Sequence, residues 1–163
     1  MSESEVTIRV AGPGDMAWLS AALAALSADL GDTHRTSEAA LAAACLGPSP
    51  ACHGILAEAR GDVAGAALMS PVFSTTQGTA GGYVSDLWVA PGWRGAGLGR
   101  QLLAGAAALA ASRWQARFLR LTVYAGNAGA RAFYGRLGFE LAERDRTCLL
   151  SGAEFDRLAE VMT

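Results

Sequence analysis

Read as apolar and polar positions, the chain alternates short stretches of period two with longer ones of helical period. Residues 6–10 (Val-Thr-Ile-Arg-Val) alternate and predict a strand. Pro13 and Asp15 suit a helix start, Leu19, Leu23, Leu26 and Leu30 follow at helical spacing, and Gly31 stops the run. A polar loop over 31–37 leads to Ser37-Glu38, which opens a short helix over 39–46 closed by Gly47-Pro48. Residues 53–59 and 63–70 read as the two strands of a hairpin turning at Arg60-Gly61-Asp62. A glycine-rich loop over 77–82 precedes a strand over 83–89, and Pro91-Gly92 ends it. Residues 97–112 predict a helix with Leu98, Leu102, Leu109 and small alanines on its apolar side. A strand over 118–123 and a helix over 127–136, ended by Gly138, come next. Short strands are expected over 139–142 and 146–150. Ser151 and Glu154 match a capping box for a last helix. Strands interleaved with helices predict an α/β or α+β fold, a mixed sheet with helices on its faces.

The length of 163 residues suits one domain, residues 1–163. A composition 52% hydrophobic and 17% charged supplies a single core and is too apolar for a disordered chain. The net charge is -2 and no Lys/Arg-rich run occurs, so no nucleic-acid partner is expected. No apolar run approaches the ~20 residues that span a bilayer, so no membrane partner is expected. The polar, acidic start (residues 1–5) is unlike a signal peptide, and the cytoplasm is the expected compartment. Three cysteines, Cys45, Cys52 and Cys148, without Cys-x-x-Cys spacing argue against a disulfide framework and a structural zinc site. Cys52-His53 reads as a buried thiol beside a strand-end histidine, and no metal is expected.

The most informative segment is Arg94-Gly95-Ala96-Gly97-Leu98-Gly99-Arg100, between a strand and an amphipathic helix. Glycines let backbone N–H groups approach a ligand, and a helix N-terminus adds positive potential, so the loop suits a pyrophosphate. A tight strand-to-helix turn is the plainer alternative. A Walker loop requires Gly-Lys-Ser/Thr, whereas this loop ends Gly99-Arg100-Gln101. A dinucleotide fingerprint requires a third glycine where Arg100 stands, and an acid on the next strand that is lacking here.

Val89-Ala90-Pro91-Gly92-Trp93-Arg94-Gly95-Ala96-Gly97-Leu98-Gly99 resembles the GNAT acetyltransferase signature V-x-P-x-x-R-G-x-G-[IL]-G. Asn127-x-x-Ala130-x-x-Phe133-Tyr134-x-x-Leu137-Gly138-Phe139 resembles its second signature, in the same order and separation. A finer resemblance is to the diamine branch, the spermidine/spermine and thialysine acetyltransferases. It rests on Gly47-x-x-Pro50-x-x-His53, Phe73-Ser74-Thr75, Tyr83-Val84-Ser85-Asp86-Leu87-Trp88-Val89 and Leu149-Leu150-Ser151-Gly152. That branch has Glu-Asp where this chain has Ser85-Asp86.

The resemblance implies a GNAT fold: a mixed, mostly antiparallel sheet splayed between two parallel strands, at 83–89 and 118–123, with helices on both faces. It implies acetyl-CoA as co-substrate, its pantetheine arm in the splay against main-chain groups of Leu87, Trp88 and Val89. The pyrophosphate would rest on Arg94, Gly95, Ala96, Gly97, Leu98, Gly99 and Arg100, and Asn127 and Ala130 would touch the far side of the cofactor. Asp29, Asp32 and His34 fall where the acceptor site is bordered in this fold, or belong to a solvated loop. A homodimer is implied by analogy with the diamine branch.

A primary amine with a lysine-like pKa near ~10 is almost fully protonated at neutral pH and must lose a proton before it attacks a thioester. Asp86 is placed to take that proton, or else to bind a cationic acceptor or cap a backbone group. Ser85 and Asp86 are the expected acceptor-binding residues, their side chains on opposite faces of the strand. Tyr134 fits the acid that protonates the leaving thiolate, with packing as its alternative role. Trp88 and Trp93 read as core or loop anchors. The function so read is acetyl transfer from acetyl-CoA to a primary amine of a small diamine- or amino-acid-like acceptor, by direct attack in a ternary complex. The alternatives are a non-catalytic acyl-CoA sensor, and acetylation of a protein N-terminus or an antibiotic amine.

Overall fold

The computed structural model describes residues 6–162, so the acidic start over 1–5 lies outside the described residues. Five strands form one sheet in the order β1 (Val6–Val10), β2 (His53–Ala59), β3 (Asp62–Ser74), β4 (Thr79–Val89) and β5 (Phe118–Leu121). Consecutive strands pair antiparallel from β1 to β4, while β4 and β5 are parallel. The β2–β3 hairpin turns on Arg60 (φ 55°) and Gly61 (φ 76°), the left-handed pair that matches the twist of the flanking strands.

Glycine decides how closely the layers approach. Residues 77–82 read as a loop in sequence, but β4 begins at Thr79 and takes in Gly81 and Gly82. A Cβ on Gly81 would lie 2.5 Å from the Phe118 ring, and one on Gly82 would lie 2.6 Å from Met69 Sδ. These glycines are therefore strand residues over which neighbouring side chains close. Gly105 likewise lets its helix sit against Ile8, whose Cγ2 would be 2.7 Å from an added Cβ.

The helices α1 (Met16–Leu30) and α2 (Glu38–Cys45) cover one face of the sheet, and α3 (Leu98–Trp114) covers the other. On the first side Met16, Leu19, Leu23 and Leu41 bury against Leu56 and Ala66. On the second, Leu98, Leu102, Leu103, Ala106 and Ala110 are buried. Leu19, Ile55, Leu56, Met69 and Leu102 are fully enclosed. Full burial of such a side chain stabilises by about 1.5–3 kcal/mol. Ser37 caps α2 by accepting the Ala40 N–H at 3.1 Å.

At the start of α1, Arg9 donates to both carboxylate oxygens of Asp15 (2.7 and 2.8 Å) and to Glu58 (3.1 Å). Asp15 also accepts the Gly12 N–H at 2.7 Å. The Arg9 guanidinium holds the Asp15 carboxyl down at about 2.

The chain divides into two compact units, the first ending at Tyr124 and the second starting at Ala125. The second holds α4 (Ala128–Arg136) and α5 (Ala153–Glu160). The strands expected over 139–142 and 146–150 are not formed: among the described residues neither stretch has a ladder partner. Between them the chain makes one local turn, Asp145 N–H donating to Ala142 O at 3.2 Å, and an isolated two-stranded pair would in any case be marginal. The capping box expected at Ser151 is also absent. Gly152 is the N-cap of α5, no side chain caps it, and Glu154 pairs instead with Arg157.

Candidate active site

The ladder between β4 and β5 covers Gly81 to Val84 on one side and Phe118 to Leu121 on the other. Residues 85–89 of β4 continue beyond it. Their partners on the opposite side are β3 residues, Leu68 with Asp86 through Gly65 with Val89. The β5-facing edge of Leu87, Trp88 and Val89 therefore has no ladder, and alternate residues turn their N–H and C=O groups toward it. Past the ladder, Tyr83 Oη and Thr122 Oγ1 lie 3.1 Å apart.

The strand is irregular where the splay begins. Leu68 faces Asp86 and Met69 faces Val84, which leaves Ser85 as the extra residue of a β-bulge. The expectation that Ser85 and Asp86 point to opposite faces is thereby corrected: Ser85 Oγ donates to Asp86 Oδ2 at 2.7 Å. A bulge cancels the period-two alternation locally and brings neighbouring side chains together. Ser85 is exposed and Asp86 half-buried.

From Val89 the chain passes through a single 3₁₀ turn, Pro91–Trp93, into the glycine loop. Gly95 (φ 79°) and Gly97 (φ 80°) both take the left-handed conformation that disfavours a side chain. Gly97 is the N-cap of α3, with no side-chain cap. The first helical bond runs from Gln101 N–H to Gly97 O, so the N–H groups of Leu98, Gly99 and Arg100 precede the ladder. They belong to a 17-residue helix whose dipole favours an anion at that end.

The two arginines of the loop differ. Arg94 donates through Nη2 to Asp29 at 2.7 Å and through Nε to the Val89 carbonyl at 2.9 Å. Trp88 Nε1 donates to the same Asp29 oxygen at 3.2 Å. Arg100 is exposed and makes no ion pair among the described residues. Asp29 is thus in the last turn of α1, where it anchors the end of β4 and the start of the loop. The sequence left Asp29 open between the acceptor border and a solvated loop and gave neither this contact nor its place inside α1. A usable signal was present, because an acid in a helix's last turn opposes the dipole unless a cation compensates it. Just beyond, Tyr124 Oη donates to Asp32 at 2.8 Å, which raises the phenol's pKa, while His34 Nδ1 and Ser27 Oγ lie 3.1 Å apart.

In the second unit, Asn127, Ala130 and Tyr134 share α4. Asn127 is its N-cap and accepts the Ala130 N–H at 3.1 Å, so that amide is occupied by the cap. Tyr134 packs between Phe133 (ring centroids 5.1 Å) and Phe139 (5.5 Å). Its hydroxyl has no hydrogen-bond partner among the described residues, and burial pushes its pKa up, which keeps the phenol protonated. Among the described residues no cluster of three or more His, Cys, Asp or Glu could hold a metal ion, and no helix is long and apolar enough to cross a membrane.

The unladdered strand edge thus runs directly into a left-handed glycine loop and an uncapped helix start, the kind of end that favours an anion. The model of the acetyltransferase (GNAT) family matches residues 20–139, and the chain belongs to that family. No curated protein matches the chain significantly. Among solved structures it is similar to an integron cassette protein from the mobile metagenome of V. cholerae, with TM-score 0.76 and 23% identity over 98% of this chain and 99% of that one. It is also similar to an aminoglycoside N-acetyltransferase in complex with CoA (TM-score 0.73, 16% identity, 93% and 97% covered). A third likeness is to a ribosomal-protein-alanine N-acetyltransferase from Brucella melitensis biovar Abortus 2308 (TM-score 0.69, 17% identity, 90% and 100% covered). At these identities the likeness shows the fold. It does not separate the diamine branch from others.

Proposed function

We propose that the chain, acting as one domain over residues 1–163, acetylates a primary amine of a small cationic acceptor with acetyl-CoA as donor. The observation that carries this reading is the continuity of the unladdered edge at Leu87, Trp88 and Val89, where Arg94 takes the Val89 carbonyl, with the loop of Gly95 and Gly97 and the open N–H groups of α3. A pantetheine amide chain needs such an edge, and a pyrophosphate needs such a helix start. Gly95, Ala96, Gly97, Leu98, Gly99 and Arg100 hold the phosphates, with Arg100 as the uncommitted cation and Arg94 fixing the loop. Asn127 and Ala130 border the far side of the cofactor.

The donor supplies an activated acetyl thioester, and the residues handle the protons. Asp86 binds the acceptor's ammonium and takes its proton, directly or through water; Ser85 orients the carboxylate by its 2.7 Å hydrogen bond. Tyr134, kept as a neutral phenol, gives its proton to the sulfur as the C–S bond breaks. The carboxylate of Asp86 favours a cationic acceptor, so a diamine or a basic amino acid fits first. An aminoglycoside, also cationic, is the second reading, favoured by the likeness to an aminoglycoside N-acetyltransferase.

We assign the protein to the cytoplasm, where free thiols such as its three cysteines and a CoA thioester coexist. We also propose a homodimer formed through the second unit. Leu149, Leu150, Phe155, Leu158, Val161 and Met162 are all exposed there, beside the unladdered stretch over 146–150. A second copy would cover this face, and light scattering reporting a monomer at micromolar concentration removes the proposal. The test of function is an acceptor screen. With acetyl-CoA present, free CoA appears on addition of a diamine, a basic amino acid or an aminoglycoside, and not of a neutral peptide N-terminus. CoA binding without release by any amine would instead make the protein a non-catalytic acyl-CoA sensor.

A further inference from the structure

We propose that Cys45 and Cys52 are a reversible disulfide site, closed by exchange with a small-molecule disulfide. The proposal is independent of the acetyl-transfer reading. Cys45 is the last residue of α2 and is buried, while Cys52 directly precedes β2 and is part-exposed. They lie seven positions apart, both are free thiols, and their Sγ atoms are 3.5 Å from each other. Sequence spacing gave no sign of this, because the pair is made by the fold of the intervening loop.

That loop holds the two residues in place through its backbone. Ala51 N–H and Cys52 N–H both donate to the Ala44 carbonyl, at 2.8 and 3.3 Å. Gly47 takes φ 102°, and Pro48 and Pro50 stiffen the return. A disulfide needs sulfur atoms ~2.05 Å apart, so closure asks for an approach of about 1.5 Å. Side-chain rotation with a small loop adjustment supplies such a movement.

The two thiols are unequal. Burial, then the contact with Cys52, pushes the Cys45 thiol up to about 12. Cys52 is the sulfur an outside reagent reaches first. In the first step the Cys52 thiolate attacks one sulfur of the small disulfide, forms a mixed disulfide and releases one small thiolate. In the second, Cys45 gives up its proton and attacks the Cys52 sulfur, releasing the second small thiolate. The two protein thiols are oxidised by two electrons, one small disulfide is reduced to two thiols, and the two protein protons end on the two leaving groups. Cys148 is exposed and serves as an internal control.

The experiment incubates the full chain in glutathione buffers with a rising fraction of the oxidised form. An acid quench, denaturation, alkylation and peptide mass spectrometry follow. The expected result is joint loss of alkylation at Cys45 and Cys52, with a peptide linking the two and no glutathione retained on either. Cys45→Ala should instead accumulate glutathione on Cys52, since nothing then resolves the mixed disulfide. Cys52→Ser should leave Cys45 alkylatable at every ratio. Three results would overturn the proposal: persistent glutathione on Cys52 in the wild type with Cys45 still alkylatable, linkage between two chains in place of the internal bridge, or full alkylation of both cysteines in the most oxidising buffer.

Discussion

The two ends of α1 each carry an arginine–aspartate pair at 2.7 Å, yet they serve different purposes. At the start, Asp15 is 13% exposed, its carboxyl is forked by Arg9, and it also takes a backbone N–H. At the end, Asp29 is 46% and Arg94 49% exposed. An exposed pair contributes ~0–1 kcal/mol to stability, because water screens it and two long side chains must be ordered. A shielded, forked pair keeps more of its attraction. The same bond length therefore marks a shielded, forked contact at one end and, at the other, an exposed contact that ties the end of β4 to the glycine loop. Length alone does not tell them apart; exposure and the identity of the neighbouring groups do.

The largest expected effect belongs to neither end and calibrates both. Tyr134→Phe should lower kcat by ~10²–10⁴-fold, the usual worth of a general acid, with acetyl-CoA affinity and thermal stability unchanged. Wild-type kcat in that variant, where chemistry limits the rate, would return Tyr134 to a packing role. Next comes the positioning end. Asp29→Ala frees Arg94 and Trp88 together and should raise the acetyl-CoA Kd about tenfold, ~1.4 kcal/mol, while Tm barely moves. Calorimetry and a melting curve on one sample decide it: a large Tm drop with unchanged Kd would reverse the assignment.

Asp15→Asn should do the opposite. Taking the shift to about 2 and discounting for the exposure of Arg9, it should cost about 1 kcal/mol of stability. That is roughly 2–4 °C in Tm for a chain of this size, at unchanged acetyl-CoA affinity. Denaturant unfolding checks the first number and calorimetry the second.

What was legible in the sequence follows from how local its cause is. The β1 and α1 segments were readable because alternation, helical spacing and the glycine stop at Gly31 are written in neighbouring residues. The glycine loop between β4 and α3 was readable as a tight turn because its glycines are neighbours in sequence, and Gly95 and Gly97 do take the left-handed conformation. Gly81 and Gly82 were misread as loop because their reason is the Phe118 ring and Met69 sulfur, distant in the chain. The bulge at Ser85 was invisible, since register depends on two strands at once. The Asp29 and Cys45–Cys52 contacts escaped for the same reason, being products of packing between elements. The strands expected over 139–142 and 146–150 failed the other way: the pattern was present and the partner was not.

Two groups with shifted pKa values, His53 in β2 and Asp15 at the start of α1, give the fold two separable windows of acid sensitivity. His53 is buried, and burial followed by the nearby Arg113 charge lowers its pKa below 6.5. The fold favours its neutral form, so that contribution is present above pH 6.5 and fades as pH falls through the lowered value. Asp15 has a folded pKa of about 2 against 3.8, so its contribution is full above 3.8 and is lost as pH falls toward 2. His53→Gln should flatten only the upper window and Asp15→Asn only the lower. A urea-unfolding series against pH for the three proteins reads both. An Asp15→Asn profile that still falls below pH 3.8 as steeply as the wild type would show that other carboxylates carry the acid sensitivity.

The smallest effect is expected just past the exposed end of α1, at the bond from Tyr124 to Asp32. Its 2.8 Å hydrogen bond joins two exposed groups, so Tyr124→Phe should leave Tm and acetyl-CoA affinity within error of the wild type. The bond has a signature all the same. Donation to the Asp32 carboxylate raises the phenol above its ordinary value of 10.0. The neutral, donating form is thus favoured in the fold: the bond holds below pH 10 and is lost as pH rises through the raised value. Phenolate absorbance during alkaline titration should therefore show two late-ionising tyrosines, Tyr134 through burial and Tyr124 through this bond; Tyr124→Phe removes the second and Asp32→Asn moves it down, while the Tyr134 step stays. If the titration curve of Asp32→Asn overlays the wild type, the loop after α1 is not tied to Tyr124 in solution. The polar side-chain contacts left at this end of the helix would then be those of Asp29 and the Ser27–His34 pair.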